Sequence, residues 1–234
     1  HINMMANFLF PSLFILFSFG VQSAEAKPPL PNDVQWVRNS KEYQYSCTYI
    51  FRKAAESVQV QTELPEVVKG KEQSKQYAVV VDLDETVLDN STYQVERWNA
   101  GLGFTQDSWS LWVKRKEAKL VPGSKNFLES VRMNGVRVVF LSNRMHHNLK
   151  PTRENLRKLG VLNDHDLFLL RQSKLDTKEI RRAEVLNGTG RMEQAGPFTV
   201  VGYIGDQMGD FPSDLSGEIG RKYFLLPNPM YGKW

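Results

Sequence analysis

Residues 79–90 read Val-Val-Val-Asp-Leu-Asp-Glu-Thr-Val-Leu-Asp-Asn, and this stretch decides the fold. Three β-branched residues make a short, continuously apolar run, the pattern of a strand buried on both faces of a sheet. The run leads straight into two aspartates, Asp82 and Asp84, separated by one leucine. Two like charges held close together at the end of a buried strand are costly unless a cation sits between them. The stretch therefore asks for a metal ion at a strand end.

The strand predicted here is Tyr77–Asp82, and four more follow at Val136–Ser142, Leu167–Leu170, Phe198–Gly205 and Tyr223–Leu226. Amphipathic stretches lie between most of them. Residues 122–133 carry Phe127, Leu128 and Val131 on one face, and residues 152–159 carry Leu156 and Leu159. Short apolar strands alternating with helices predict an α/β fold, a Rossmann-like parallel sheet with helices on both faces. In such folds functional groups gather at the carboxyl ends of the strands. Asp82, Ser142 and Asp206 each fall just past an apolar run.

The segment 91–121 is too long for a turn and holds Tyr93, Trp98, Phe104, Trp109 and Trp112. It reads as an insertion, a small helical cap over the strand ends. Upstream, a helix is predicted over 40–60 with Ser40 as N-cap. Its face of Tyr43, Cys47, Ile50 and Ala54 makes the cysteine a small core residue. Residues 63–76 are polar and separate this helix from the first strand. Three prolines, Pro28, Pro29 and Pro31, make 27–33 read as an extended linker.

With 234 residues, 41% apolar and 24% charged, the chain has material for one core and too little for two equal domains. The formal charge of +4 is mild, and no Lys/Arg run is dense enough for a nucleic-acid partner. A single cysteine excludes an intrachain disulfide framework and a cysteine zinc site. Phe8–Val21 is apolar but short for a membrane span, and Ala24-Glu25-Ala26 follows it. Together they read as a secretory signal peptide over 1–26, with a retained membrane anchor as the alternative. The expected organisation is then a signal peptide (1–26), a linker and helical segment (27–75) and an α/β core (76–234) that carries the insertion near 91–121. Its location is periplasmic or secreted, with no stable membrane anchor after cleavage. The triplets Asn90-Ser91-Thr92 and Asn187-Gly188-Thr189 match the glycosylation pattern and are read as chance.

A second acidic pair, Asp206 and Asp210, stands in Gly205-Asp-Gln-Met-Gly-Asp210, after the apolar run Val200–Ile204. The run 136–141 ends in Ser142-Asn143-Arg144, and Lys178 lies in a basic amphipathic stretch. Carboxylate pair, hydroxyl, lysine and carboxylate pair in this order resemble the four motifs of the haloacid-dehalogenase superfamily of aspartate-nucleophile phosphohydrolases. More closely, Asp82–Asn90 and Gly205–Phe211 resemble the secreted class C acid phosphatases, which include bacterial 5′-nucleotidases. So do Trp109–Val113 with Val121-Pro122-Gly123, the tail Leu226–Trp234, and the region around Glu42-Tyr43. Departures are the missing lipid-attachment cysteine, a short stretch from Phe211 to Arg221, and a chain that stops soon after Tyr231. The number of subunits is left open.

The chemistry fits that resemblance. A carboxylate nucleophile is repelled by an anionic phosphomonoester unless a cation neutralises both. Asp82 is expected to be the nucleophile, forming an aspartyl-phosphate. Asp84 would protonate the departing alkoxide and then deprotonate the hydrolytic water. Because Asp84 must start protonated, a low pH optimum is expected. Asp82, Asp84 through its backbone carbonyl, and Asp206 form an oxygen donor set suited to Mg²⁺, with Asp210 a water-mediated or outer partner. Ser142 and Asn143 would donate to the phosphoryl oxygens, and Lys178 would neutralise their charge. Lys174 is the competing lysine, and Lys178 is preferred because Asp176-Thr177-Lys178-Glu179-Ile180-Arg181 better resembles the family pattern of a lysine three residues before an arginine. The resemblance implies that Trp109 and Tyr231 flank a nucleotide base, while Trp109 and Trp112 also suit a helical core face. Asn90 is expected to help position the substrate.

The expected function is thus an exported, Mg²⁺-dependent acid phosphatase acting on small phosphomonoesters, foremost nucleoside 5′-monophosphates. The alternatives are a non-catalytic phospho-acceptor, binding or storage protein on the same fold, and a phosphotransferase using the same intermediate.

Overall fold

The computed structural model describes residues 29–63, 76–213 and 217–232. The expected signal peptide, the first two residues of the expected linker and most of the polar segment before the first strand lie outside the described residues.

The chain begins with helices α1 (Asn32–Asn39) and α2 (Lys41–Glu63), followed by strand β1 (Tyr77–Val81). Next come β2 (Leu88–Asp89), α3 (Ser91–Asn99), α4 (Gln106–Arg115) and β3 (Lys119–Leu120). The remainder alternates: α5 (Ser124–Met133), β4 (Arg137–Met145), α6 (Leu149–Lys158), β5 (Leu167–Arg171), α7 (Lys178–Asn187), β6 (Thr199–Gly205) and β7 (Tyr223–Leu225).

Five strands form one sheet in the order β5-β4-β1-β6-β7, every pair parallel. All five are the strands read from the apolar runs. From the central β1 the chain builds outward through β4 and β5, then returns to build the other half from β6 and β7. The reversal falls between β1 and β6, and the crevice at the carboxyl ends of such a strand pair is where open α/β sheets bind ligands. The Asp82 N–H donates to the Ile204 carbonyl at 2.9 Å across that junction.

Helices cover both faces, so strand residues alternate between two cores. Val79 and Val81 pack with Cys47, Phe51 and Val58 of α2 and Phe127 of α5. Ala78 and Val80 face Val185 of α7 with Leu169 and Met192. The start of α2 follows from local chemistry: the Ser40 hydroxyl accepts the Tyr43 N–H at 3.0 Å, a first-turn cap. Tyr43, Cys47, Phe51, Ala54 and Val58 then recur at helical spacing and are all buried.

Two boundaries differ from the sequence reading. The linker ends early, because α1 starts at Asn32, directly after Pro31, and buries Val34 and Val37. Proline suits a helix start, where no N–H is missed, and the Trp36 ring meets Tyr43 edge-on at 5.4 Å. β4 runs on to Met145, three residues beyond the predicted end at Ser142, with a register shift against β5 after Ser142.

The insertion consists of α3 and α4, pinned by the short antiparallel pair β2–β3. Thr105 and Ser108 cap α4 reciprocally, and Lys116 ends it in the left-handed region at φ 57°. That register turns Trp109, Trp112 and Val113 inward. Among the described residues no helix is long and apolar enough to cross a membrane.

Candidate active site

The loop leaving β1 is a tight coil. The Leu83 carbonyl accepts N–H groups from Thr86, Val87 and Leu88 at 3.3, 2.9 and 2.8 Å. Glu85 closes the coil in the left-handed region at φ 55°, while its N–H donates to the Leu88 carbonyl at 2.8 Å. A non-glycine residue held there stores about 1–3 kcal/mol, strain that concentrates at functional sites.

Asp84 is held from two sides. Arg144 donates to it through Nε at 3.0 and 3.1 Å and through Nη2 at 2.7 Å. Asn90 Nδ2 donates at 2.9 Å. Each of these partners is itself fixed. Arg144 Nη1 donates to Thr152 Oγ1 at 3.0 Å, and the guanidinium lies 5.8 Å from the Trp109 ring centroid. Asn90 Oδ1 accepts the Trp112 indole N–H at 2.8 Å.

Asp82, Asp206 and Asp210 each offer one carboxylate oxygen within 4.8 Å of the others, and all three residues are buried. Lys178 Nζ donates to Asp82 Oδ1 at 2.7 Å and also to Asp210 Oδ1. Burial drives the Asp82 carboxyl well above the usual aspartate value; Lys178 pulls it back, and the neighbouring carboxylates of Asp210, Asp206 and Asp84 push it up again. Asp206 is raised by burial and by Asp210, against the amides of Asn228 and Gln207. Burial disfavours the Lys178 ammonium, but Asp82 and Asp210 outweigh it and hold its pKa above the ordinary lysine value. Three buried carboxylates facing one ammonium leave a negative excess that a hard divalent cation would satisfy. The donor set therefore fits such an ion. The Asp84 carboxylate stands outside the trio, engaged by Arg144, which leaves its backbone carbonyl as the group by which it would serve a metal.

Ser142 is buried, and its Oγ accepts the Arg144 N–H at 3.2 Å. Asn143 is exposed, with its Oδ1 accepting from Arg181 Nη2 at 2.7 Å. Arg181 is itself fully buried and also donates to the Ser142 and Leu169 carbonyls at 2.5 and 3.1 Å. It ties α7 to the Ser142-Asn143 corner. Between the two lysines, Lys178 opens α7 behind the Thr177 cap and reaches Asp82, whereas Lys174 is exposed in the preceding loop.

Trp109 packs edge-on against Tyr93 at 5.0 Å and lies 6.1 Å from Phe104, with 7% of its surface exposed. Tyr231 is half-buried, and its hydroxyl donates to Glu85 Oε2. The Asn90 side chain is fully enclosed, with hydrogen bonds to Asp84, Leu88 and Trp112. Burial also closes its triplet to a glycan, while Asn187 is exposed.

Arg144, Glu85, Gln207 and Asn228 were not singled out from the sequence. Arg144 stood next to two residues that were, and a cation beside a carboxylate-rich strand end was the available signal. Gln207 is the immediate neighbour of Asp206, whereas Asn228 reaches Asp206 and Glu85 meets Tyr231 across separations of 22 and 146 residues that leave no local pattern.

A family model described as HAD superfamily, subfamily IIIB (acid phosphatase), matches residues 16–234. Among solved structures, the class C acid phosphatase from Bacillus anthracis with tungstate bound superposes with a TM-score of 0.71 at 29% identity, covering 86% of this chain and 84% of that one. A second structure of the class C acid phosphatase from that organism gives 0.70 at 28%, with the same coverage. A stem 31 kDa glycoprotein of Glycine max is 30% identical over 157 residues, covering 65% of this chain and 58% of that protein. Vegetative storage protein 1 of Arabidopsis thaliana is 26% identical over 153 residues, covering 65% of this chain and 54% of that protein. The chain thus spans less than three fifths of the length of these plant relatives.

Proposed function

The chain belongs to the HAD superfamily, subfamily IIIB, of acid phosphatases, and on that premise we propose that it is an exported phosphomonoesterase working through an aspartyl-phosphate on Asp82. One observation carries the reading: Asp82, Asp206 and Asp210 converge within 4.8 Å, with Lys178 bonded to Asp82. They do so in the crevice between β1 and β6, where chemistry on this sheet topology belongs. The tungstate named in the Bacillus anthracis structure is a tetrahedral oxyanion like phosphate, which supports the same ligand class here.

In the proposed reaction, a carboxylate oxygen of Asp82 attacks phosphorus as the ester P–O bond breaks. Asp84, aimed by Arg144 and Asn90, gives its proton to the departing alkoxide. It then takes a proton from water, whose oxygen attacks phosphorus and breaks the bond to Asp82, releasing phosphate. Lys178, Ser142 and the Asn143 amide hold the phosphoryl oxygens. Magnesium held by Asp82, the Asp84 carbonyl and Asp206, with Asp210 as outer partner, would supply the charge neutralisation that lets two anions meet. Trp109 and Tyr231 supply the rings for a nucleotide base, and stacking of this kind tolerates any base. Small phosphate esters, foremost nucleoside 5′-monophosphates, are the proposed substrates, and the apolar leader is the support for export.

The storage reading is favoured by the names of the plant relatives. The intact set of Asp82, Asp84, Ser142, Lys178, Asp206 and Asp210 speaks for turnover. Hydrolysis of p-nitrophenyl phosphate with Mg²⁺, abolished in Asp82→Asn, separates the two. An inert parent chain that still binds the cation would favour storage. A phosphotransferase would differ only in the acceptor, and would show itself by forming a new ester when alcohols are added.

A further inference from the structure

The segment after β7 runs back across the crevice. The Leu226 N–H donates to the Gly205 carbonyl at 2.8 Å, which aligns the segment beside the end of β6. Asn228 Nδ2 then donates to Asp206 Oδ2 at 2.7 Å. Its own Oδ1 accepts the Met230 N–H at 3.0 Å, so the amide cannot turn over without losing both bonds. Gln207 Nε2 joins Asp206 Oδ2 at 3.1 Å to the Tyr231 carbonyl at 3.1 Å. The far end is fastened by the Tyr231 hydroxyl on Glu85, whose other oxygen accepts the Asn90 N–H at 2.9 Å.

This arrangement is asymmetric about Asp206. Oδ2 is occupied by two amide donors, whereas among the described residues Oδ1 meets only the Thr86 hydroxyl at 3.4 Å. A carboxylate held by one oxygen presents the other in a fixed direction, the usual arrangement behind a metal ligand. We infer that residues 226–232 are a positioning strap for the cation site: Asn228 orients Asp206 so that Oδ1 faces the Asp82–Asp210 side, and the Tyr231–Glu85 hydrogen bond holds the strap in place. The inference rests on the proposed cation site but not on turnover. It gives Tyr231 a second task, independent of any base its ring might stack on, and makes Asn228 a positioning residue that touches neither substrate nor reacting atoms.

Isothermal titration of Mg²⁺ and Mn²⁺ into the chelator-stripped full chain tests it, with Asn228→Ala and Tyr231→Phe beside the parent. Loss of a group that orients a metal ligand costs about 10- to 100-fold in metal affinity. The strap predicts a loss in that range for Asn228→Ala. It predicts a smaller loss, still above about threefold, for Tyr231→Phe, which removes one hydroxyl and leaves the ring and the fold in place. Asn228→Ala should regain most of the parent kcat when the cation is saturating. A role for Tyr231 in substrate stacking alone leaves its metal affinity at the parent value. Metal dissociation constants within twofold of the parent for both variants would overturn the strap while leaving the cation site intact. A parent chain that binds neither ion removes the cation site and the strap together. Cation binding without phosphatase turnover removes the enzymatic reading and leaves the strap standing.

Discussion

Arg144→Met isolates what the buried guanidinium does for Asp84. The variant keeps an unbranched apolar side chain of similar length and deletes three hydrogen bonds to one carboxylate, at 2.7, 3.0 and 3.1 Å. Unit charges about 4 Å apart attract by about 4 kcal/mol at an effective dielectric of about 20. Removing one member of a buried pair costs about 3–5 kcal/mol. The Asp84 side chain is 17% exposed against 1% for Arg144, so water can partly replace the lost partner. The lower end, about 3 kcal/mol, is expected, which lowers Tm by roughly 6–12 °C in a chain of this size. The kinetic effect has a signature of its own. A mis-aimed general acid loses up to the 10²- to 10⁴-fold that such a group contributes, but only where the leaving group needs its proton. With p-nitrophenyl phosphate, whose leaving group departs readily as the anion, kcat should fall by about tenfold or less; with glycerol phosphate it should fall by about 10²-fold or more. Arg144→Met combined with Asp84→Asn should be no worse than Asp84→Asn alone, because both remove one function. Equal losses on the two substrates, or a double variant far below either single one, would refute the assignment of Arg144 as the group that aims Asp84.

Asp176 accepts from Arg191 at 2.9 and 3.0 Å and from the Gln172 N–H at 2.8 Å. Burial works against its carboxylate, but these donors and Arg181 outweigh it and hold the pKa below the usual aspartate value. A depressed folded pKa means a contribution that is complete above the unfolded value of about 3.9 and is lost as pH falls through the folded one. Asp176→Asn should therefore cost about 2 kcal/mol in urea unfolding at pH 7, with the gap to the parent closing below about pH 4; a gap unchanged down to about pH 3 contradicts the pairing. A Cβ on Gly205 would collide with the Asp210 carboxylate. Gly205→Ala should cost about 1–3 kcal/mol in a thermal melt and weaken cation binding as Asp210 is displaced, whereas parent-like affinity would mean that Asp210 has no part in the site. Trp109→Leu should raise KM for 5′-AMP by the roughly 5- to 150-fold that base stacking of about 1–3 kcal/mol implies, and leave KM for glycerol phosphate near the parent value. An unaltered KM for 5′-AMP removes the stacking role.

The five strands were legible because a sheet covered on both faces needs continuous apolar runs, and Val79–Val81 and Val200–Ile204 are such runs. The convergence of Asp82 with Asp206 was legible for a related reason: both follow strands, and strand order places those strands side by side. Helix α1 escaped because prolines dominate its approach while only Val34 and Val37 mark its buried face. The end of β4 was misplaced because Ser142-Asn143-Arg144 is polar, and Ser142 and Arg144 are buried by their hydrogen bonds rather than by hydrophobicity. The same cause hid the side chains that orient the aspartates. Arg144 and Asp84 are 60 residues apart, Asn228 and Asp206 are 22 apart, and Tyr231 and Glu85 are 146 apart. Polar pairing over such separations has no periodicity to read. Asn90 was expected to help position the substrate, and nothing in the sequence marked the Trp112 indole, 22 residues on, as the donor that fixes its Oδ1.

Central to the account is a covalent bond between substrate phosphorus and Asp82. Acid quenching of the chain during turnover of ³²P-labelled substrate with Mg²⁺, followed by peptide mapping, looks for that bond directly. The account predicts an alkali-labile label on the peptide containing Asp82, lost when the divalent ion is chelated and absent in Asp82→Asn. Label on a different residue, or steady turnover by Asp82→Asn, would contradict it.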